Sequence, residues 1–158
     1  MPRPRGHERL QYEVENWHRE GLTTIVSLLD QHEVQELGLT DEPTLCKAAG
    51  IEFIWFPVSD RGVPESLRYT ARLADDLSWN VASGSTIGVH CRAGIGRSAL
   101  LAACVLSRLG MPEREVFPWI SRARGVPCPD TEAQAKWFAR FVRVADSALK
   151  AALAGEEP

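Results

Sequence analysis

The chain has 158 residues with a formal net charge of −3, and 44% of them are hydrophobic. This length and composition suit one globular domain, and the slightly acidic balance argues against a nucleic-acid-binding or membrane-surface protein. We expect neither a membrane span nor a secretory leader, because no apolar run or charge pattern of that kind occurs. Four cysteines without CxxC or zinc spacing predict free thiols in a reducing, cytoplasmic setting (Cys46, Cys91, Cys104, Cys128).

The first half of the chain predicts helices and strands in alternation. Continuous apolar, β-branched runs predict buried strands, and glycines after amphipathic runs predict helix ends. The predicted elements are, in order, a helix over 10–20, a strand over 22–29, helices over 31–37 and 42–49, a strand over 51–56 and a helix over 65–81.

The second half predicts a strand over 85–89, a buried helix over 99–106 and a further helix over 112–122. Because an interior proline removes a hydrogen bond, Pro118 predicts a kink in that further helix. A last helix is predicted to start at 130–132, with an apolar stripe of Trp137, Phe138, Phe141, Val142, Ala145 and Leu149. We also expect the tryptophans at 55, 119 and 137 to pack in or against the core.

Strands that alternate with helices predict an α/β fold, in which a largely parallel sheet carries helices on both faces. We expect one domain over 1–158, with residues 1–8 and 154–158 loosely ordered. Ligands of such sheets bind at the carboxyl ends of the strands. The loops that contain Asp60 and Cys91 both fall there, so they are the first candidates for a site.

Residues 90–98 form a strand–loop–helix turn of small residues. Such a turn directs backbone N–H groups and the positive end of a helix dipole at one spot, which predicts an anion cradle. Arg97 can donate to two phosphate oxygens, and Cys91 beside these groups is predicted to be a thiolate that Ser98 stabilises. The predicted phosphate-binding residues are Arg92, Ala93, Gly94, Ile95, Gly96 and Arg97.

The pattern H-C-x5-R-S over 90–98 resembles the signature of the cysteine-dependent protein phosphatases. The resemblance implies a protein tyrosine phosphatase-like fold. It also implies that Cys91 attacks phosphorus, that Arg97 binds the phosphate and the transition state, and that Ser98 assists breakdown of the cysteinyl-phosphate. By the same resemblance the enzyme needs no metal and no cofactor.

Asp60 is the candidate general acid, because an expelled alkoxide or phenoxide needs a proton. Its D-x-G-x-P loop resembles the dual-specificity phosphatase branch related to the cyclin-dependent-kinase-associated phosphatase. Residues 26–29, Glu33 and residues 36–39 match the same branch, and the resemblance covers about residues 22–141. An Asp in this setting is also a good turn residue on its own.

The chain also departs from the family's pattern. The family carries a further strand before this chain begins, so an edge strand is missing or supplied otherwise. The chain shows no tyrosine-recognition loop, and its signature loop lacks the lysines of lipid-directed members, which disfavours a polyphosphoinositide substrate.

Three further residues have two interpretations each. His90 either packs or tunes the thiolate, Arg61 either contacts substrate or is a solvated charge, and Gln134 either positions water or faces solvent. The same choice between substrate contact and solvated charge applies to the side chain of Arg92.

We therefore expect a phosphatase that hydrolyses phosphate monoesters, namely phosphotyrosine and phosphoserine or phosphothreonine in proteins, or a small phosphate ester. We expect a monomer without nucleic-acid or membrane partners. Two other classes stay open: a non-catalytic phosphopeptide-binding module, and a rhodanese-like sulfurtransferase or arsenate reductase, which also use C-x5-R.

Overall fold

A computed structural model describes the backbone of residues 1–154 and the side chains of residues 1–144. Within this part of the chain, three strands form one parallel sheet in the order β2-β1-β3. After a short 3-10 helix at His7–Arg9, the elements are α1 (Leu10–Arg19), β1 (Thr24–Ser27), α2 (Gln31–Glu36), α3 (Glu42–Ala48), β2 (Glu52–Trp55), α4 (Leu67–Ala82), β3 (Ile87–His90), α5 (Arg97–Arg108), α6 (Glu113–Arg124) and α7 (Glu132–Ala154).

The two faces of the central strand β1 supply two separate apolar clusters. Val26 packs on one face with residues of α4, α5, α6 and α7, including Leu77, Leu100 and Phe138. Ile25, its neighbour, points to the other face and packs with residues of α1 and α3. Alternate residues of a strand point to opposite faces. The predicted α/β fold, with helices on both faces of a parallel sheet, is therefore confirmed.

The predicted elements are found, with shifts at their ends. The first strand covers only Thr24–Ser27, although Thr23 and Leu28 on either side still donate to the main-chain carbonyls of Thr86 and His90. Helix α5 begins at Arg97, two residues earlier than predicted, so Arg97 and Ser98 lie in its first turn. Helix α6 runs from Glu113 to Arg124 through Pro118.

The three tryptophans were expected in the core or partly buried, and only Trp137 packs against the main apolar cluster. Trp55 and Trp119 are about half exposed, at 52% and 47%. Trp55 lies on the edge strand β2 and donates from its indole nitrogen to the carbonyl of Leu29 (2.8 Å). Of the predicted stripe on α7, Phe138 and Phe141 are buried, whereas the side chains of Ala145 and Leu149 lie outside the described residues.

The residues before α1 contact the edge of the sheet, and the loose order expected over 1–8 stays a prediction. Pro2 forms a parallel β-bridge with Cys91, the residue that directly follows β3. No further strand lies beside β3 within the described residues. The expectation for residues 155–158 lies outside the described residues. None of the described helices is both long enough and apolar enough to cross a membrane.

Candidate active site

The carboxyl ends of all three strands meet at one edge of the sheet. The Cys91 loop joins β3 to α5, the Asp60 turn follows β2, and Glu33 lies on α2 just after β1. A pocket of about 260 Å³ opens between these segments and the start of α7. Its lining residues are Asp60, Arg61, Cys91, Arg92, Ala93, Ile95, Gly96, Arg97, Asp130 and Gln134.

Cys91 lies almost fully buried where β3 ends, and the main-chain N–H of Gly94 donates to its Sγ (3.3 Å). Ser98 is buried in the first turn of α5, and its hydroxyl has no oxygen or nitrogen partner among the described residues. Burial acts to raise the pKa of the Cys91 thiol, but hydrogen bonds from Ser98 and Gly94 and the charge of Arg97 outweigh it. The net result is a lowered pKa, which favours the thiolate that a nucleophile needs.

Arg97 is buried, and its guanidinium is held by a two-pronged ion pair with Glu33. Nη1 lies 2.6 Å from one carboxylate oxygen of Glu33, and Nη2 lies 2.9 Å from the other. Nη1 also donates to the carbonyl of Val58 (2.9 Å), and Nη2 donates to Oδ1 of Asp60 (2.9 Å). These bonds use four of the five guanidinium N–H groups and fix its plane, so an oxyanion can be bound by the N–H at Nε and by the N–H at Nη2 that now donates to the exposed Asp60.

Asp60 lies in the turn after β2, with its side chain about 60% exposed at the pocket and paired to Arg97. Its Oδ1 also accepts from the main-chain N–H of Arg61, the next residue in the turn (3.0 Å). Arg61 has a positive φ of 55°, which is rare for a residue with a Cβ. The structure thus brings Asp60 beside Arg97 in the pocket of Cys91.

Glu33 is a site residue to which the sequence analysis gave no role. It is the third residue of α2, where it forms a capping box with Asp30: each side chain accepts from the other residue's main-chain N–H. Burial acts to raise the pKa of Glu33, but hydrogen bonds from Arg97 and from the Asp30 main chain lower it on balance. The D-x-x-E pattern directly after a buried strand was a readable signal for a carboxylate at this edge.

Gln134 forms part of the pocket wall and is fully buried, so the interpretation that it faces solvent is wrong. Its amide nitrogen donates to the carbonyl of Gly62 (3.0 Å), and its side-chain oxygen accepts from the N–H of Thr131 (3.3 Å). A Cβ on Gly96 would lie 3.0 Å from that amide nitrogen. Glycine at position 96 therefore lets α7 approach the loop closely.

Of the remaining predicted residues, Arg61 and Arg92 line the pocket and His90 does not. The buried imidazole of His90 packs away from the pocket lining, with Nε2 2.8 Å from Oε1 of Glu42 on α3. The guanidinium of Arg92 pairs with Glu36 (2.5 Å) and with Glu33 (3.4 Å). Arg61 lies at the pocket, 3.6 Å from a carboxylate oxygen of Asp130. Whether any of these residues takes part in chemistry stays a prediction.

Among the residues that the structure describes, no cluster of three or more His, Cys, Asp or Glu could hold a metal ion. The pocket combines the Cys91 thiol, whose pKa is lowered, with a guanidinium, a carboxylate and the start of a helix. These are groups for binding a phosphate and for attacking its phosphorus.

Comparison with solved structures shows the same fold in known phosphatases. Kinase associated phosphatase, in a form with serine in place of its catalytic cysteine, superposes with a TM-score of 0.80 at 20% identity, over 89% of this chain and 82% of that one. Tk-PTP in its active form gives a TM-score of 0.73 at 21% identity, over 90% and 88%. Human DUSP28 gives 0.69 at 21% identity, over 90% and 92%.

Sequence relatives point to the same class of protein. Protein tyrosine phosphatase domain-containing protein 1 of Danio rerio is 31% identical over 140 residues, which are 82% of this chain and 19% of that protein. The mouse protein of the same name is 32% identical over 115 residues, 67% of this chain and 15% of the mouse protein. The chain thus spans less than a fifth of the length of these relatives.

A family model described as "Polymorphic toxin system, DSP-PTPase phosphatase" matches residues 1–111. This match covers well over half of the chain and includes β1, β2, β3, the Asp60 turn and the Cys91 loop. The resemblance to dual-specificity phosphatases inferred from the sequence is confirmed. The chain belongs to the DSP-PTPase phosphatase family of polymorphic toxin systems.

Proposed function

We propose that this protein hydrolyses phosphate monoesters through a cysteinyl-phosphate on Cys91. The observation that carries the proposal is the position of Cys91 at the pocket, with a lowered pKa, beside a guanidinium that is already aligned by Glu33. A thiolate next to an oriented arginine at a helix start is an arrangement that binds a phosphoryl group and attacks it.

In the first step the thiolate of Cys91 forms a bond to phosphorus, and the bond from phosphorus to the ester oxygen breaks. Asp60, when protonated, gives its proton to the departing oxygen, while Arg97 and the main-chain N–H groups of the loop hold the phosphoryl oxygens. Arg97 donates to Asp60 in the described arrangement, so the phosphate must take over that N–H when it binds.

In the second step a water oxygen attacks phosphorus, the Asp60 carboxylate accepts the water's proton, and the sulfur leaves as a thiolate. Ser98, whose hydroxyl has no oxygen or nitrogen partner among the described residues, is placed to donate to that sulfur. Gln134 lies in the pocket wall and is our candidate for orienting the attacking water.

As substrates we propose phosphotyrosine and phosphoserine or phosphothreonine in proteins, or a small phosphate ester, bound by a monomer. The main support is that the family and its structural relatives are protein phosphatases of the tyrosine and dual-specificity type. Matched phosphotyrosine and phosphothreonine peptides of one sequence would rank these choices by kcat/KM.

The decisive experiment is hydrolysis of an aryl phosphate near pH 6 with EDTA present, comparing the wild type with Cys91→Ser. We expect turnover by the wild type that vanadate blocks, and none by the variant. Undiminished turnover by Cys91→Ser would refute the mechanism. A folded wild type that binds phosphopeptide without turnover would favour the binding module, and thiocyanate formation or arsenate-dependent oxidation of Cys91 would favour a sulfurtransferase or a reductase.

A further inference from the structure

Two segments that are distant in sequence from the Cys91 loop contact that loop without lining its pocket. The first consists of residues 1–3, which we call the N-terminal strap. The main-chain nitrogen of Met1 donates to the carbonyl of Val89 (2.5 Å), and the nitrogen of Arg3 donates to the carbonyl of Arg92 (3.4 Å). These two bonds and the bridge between Pro2 and Cys91 show that the strap lies parallel to the first residues of the Cys91 loop.

The second segment is the end of α6. Nε of Arg124 donates to the carbonyl oxygen of Gly94 (3.2 Å). Gly125 follows with a left-handed φ of 69° and ends the helix, which fixes Arg124 in the last turn. Arg124 thus reaches the loop from an element that contributes no residue to the pocket lining.

Both segments meet at Gly94. A Cβ on Gly94 would collide with the main-chain carbonyl of Met1 and with the nitrogen of Pro2, so the strap lies directly against this glycine. Gly94 has a positive φ of 74°, and its N–H is the one that donates to Sγ of Cys91. The residue with the freest backbone in the loop is therefore held on two sides.

Residues 4–7, which follow the strap, have contacts of their own near the end of α2. The main-chain nitrogen of His7 donates to the carbonyl of Gly38 (2.9 Å), and a Cβ on Gly6 would collide with the carbonyl of Leu37. Pro4, between the two anchors, is buried. Residues 1–7 therefore cross from the end of α2 to the catalytic loop with contacts at both ends.

We propose that the N-terminal strap and Arg124 are positioning elements for the nucleophile, which hold Gly94 so that its N–H points at Sγ of Cys91. The inference rests on the proposed function for its use in catalysis. Its physical basis is preorganisation: a donor stabilises a thiolate most when no further ordering of the loop is needed.

The first test compares Arg124→Gln with Arg122→Gln, a matched control that removes the same charge from an exposed position on the same helix turn. The measured quantity is the midpoint pH for alkylation of Cys91 by iodoacetamide, followed by mass spectrometry. We expect Arg124→Gln to raise the midpoint by about one pH unit, since a hydrogen bond to a charged group contributes that much. The control should keep the wild-type midpoint, and the shift should persist at high salt. Equal midpoints in all three proteins would overturn the role of Arg124.

The second test deletes residues 2–4 and uses Arg5→Ala as its control, because the side chain of the neighbouring Arg5 pairs with Glu13 on α1. We expect the folded deletion variant to show a raised alkylation midpoint and a lower kcat with a smaller change in KM. A folded deletion variant with the wild-type midpoint would overturn the role of the strap. If the deletion prevents folding, judged by circular dichroism, Arg3→Pro keeps the chain length and removes the main-chain N–H that donates to Arg92, so an unchanged midpoint in that variant would also count against the strap.

The alkylation midpoint does not depend on phosphatase turnover, so the two proposals can fail separately. A wild type without turnover contradicts the proposed function, yet midpoints raised in the variants would still support the positioning role. Turnover with unchanged midpoints supports the proposed function and refutes the positioning role.

Discussion

At the scale of single residues, the site depends on the two carboxylates that balance the positive charge of Arg97. Its guanidinium faces the carboxylates of Glu33 and Asp60, one buried and one exposed. The buried carboxylate orients the arginine, and the exposed one can leave when a phosphate arrives. The two carboxylates therefore have separate consequences when they are changed.

In the mechanism proposed above, Asp60→Asn removes the proton that the leaving oxygen needs, and it keeps the size of the side chain. We expect turnover of an alkyl phosphate to fall by about 10²–10⁴-fold, and turnover of a nitrophenyl phosphate to fall much less, because its leaving group needs little protonation. Steady-state rates on both substrates measure this difference. Equal losses on the two substrates would mean that Asp60 only shapes the turn.

Glu33→Gln leaves the guanidinium of Arg97 without its buried counter-charge. We expect the free energy of unfolding at pH 7 to fall by about 3 kcal/mol, the cost of breaking a buried ion pair, and oxyanion binding to weaken. Glu36→Gln is the matched control on the same helix, because Glu36 pairs with Arg92 at the exposed surface and such pairs contribute about 1 kcal/mol or less. Urea denaturation of the three proteins measures the difference.

The same substitution has a defined pH dependence. The pKa of Glu33 is lowered in the folded protein, so its contribution to stability is present above the unfolded pKa of about 4.3 and is lost as pH falls through the folded pKa. The stability gap between the wild type and Glu33→Gln should therefore be largest near neutral pH and shrink below about pH 4. A gap that stayed constant down to acid pH would contradict the ion-pair explanation.

At the scale of elements, α5 is the helix on which both the core and the site depend. Its first turn carries Arg97 and Ser98, and its later residues, among them Leu100 and Cys104, are buried against α4, α6 and α7. Because an N-terminal turn is only as fixed as the helix behind it, packing of α7 against α5 also holds the pocket. Gln134 in the pocket wall and Phe138 in the core lie one turn apart on α7.

Phe138→Ala should test how strongly α7 packs against the core. The ring is 1% exposed and packs edge-on against Phe117, with centroids 5.1 Å apart. We expect a loss of about 3–5 kcal/mol in the free energy of unfolding, because the truncation leaves a cavity. Val144→Ala, an exposed position on the same helix, should change it by less than about 0.5 kcal/mol. Chemical denaturation measures both, and a loss below about 1 kcal/mol for Phe138→Ala would contradict the packing described.

At the scale of the whole molecule, the fold lowers the pKa of one thiol and raises the pKa of the other three. Burial raises the pKa of Cys104 and Cys128, and burial together with the charge of Glu42 raises the pKa of Cys46 to about 12. Only Cys91 has a lowered pKa. All four thiols are free, so the contrast is produced by their surroundings rather than by disulfides.

We therefore expect iodoacetamide at pH 7 to add one group rapidly to the native protein and four groups after unfolding in guanidinium. The mass of the intact protein before and after unfolding measures this. Cys91→Ser should lose the native adduct and keep three in the unfolded chain. Rapid labelling of a second cysteine in the native wild type would contradict the described difference in pKa between Cys91 and the other three thiols.

The sequence by itself determined the type of fold and the centre of the site. Apolar, β-branched runs bounded by turn residues are local signals, and so is a Cys and an Arg on one short loop before a helix, because their spacing alone brings them together. The ends of the elements were less well determined. Helix α5 starts two residues earlier than predicted because the small residues of the loop give no local signal for its first turn.

Only the tertiary structure decided which distant residues complete the site. Glu33 and Arg97 are 64 positions apart, and neither hydrophobic pattern nor charge pairs them until β1 and β3 lie side by side. The exposure of Trp55 was likewise decided by the position of β2 at a sheet edge, and the burial of Gln134 by how closely α7 approaches Gly96. Such contacts depend on long-range packing, in which each partner's position is set by elements elsewhere in the chain.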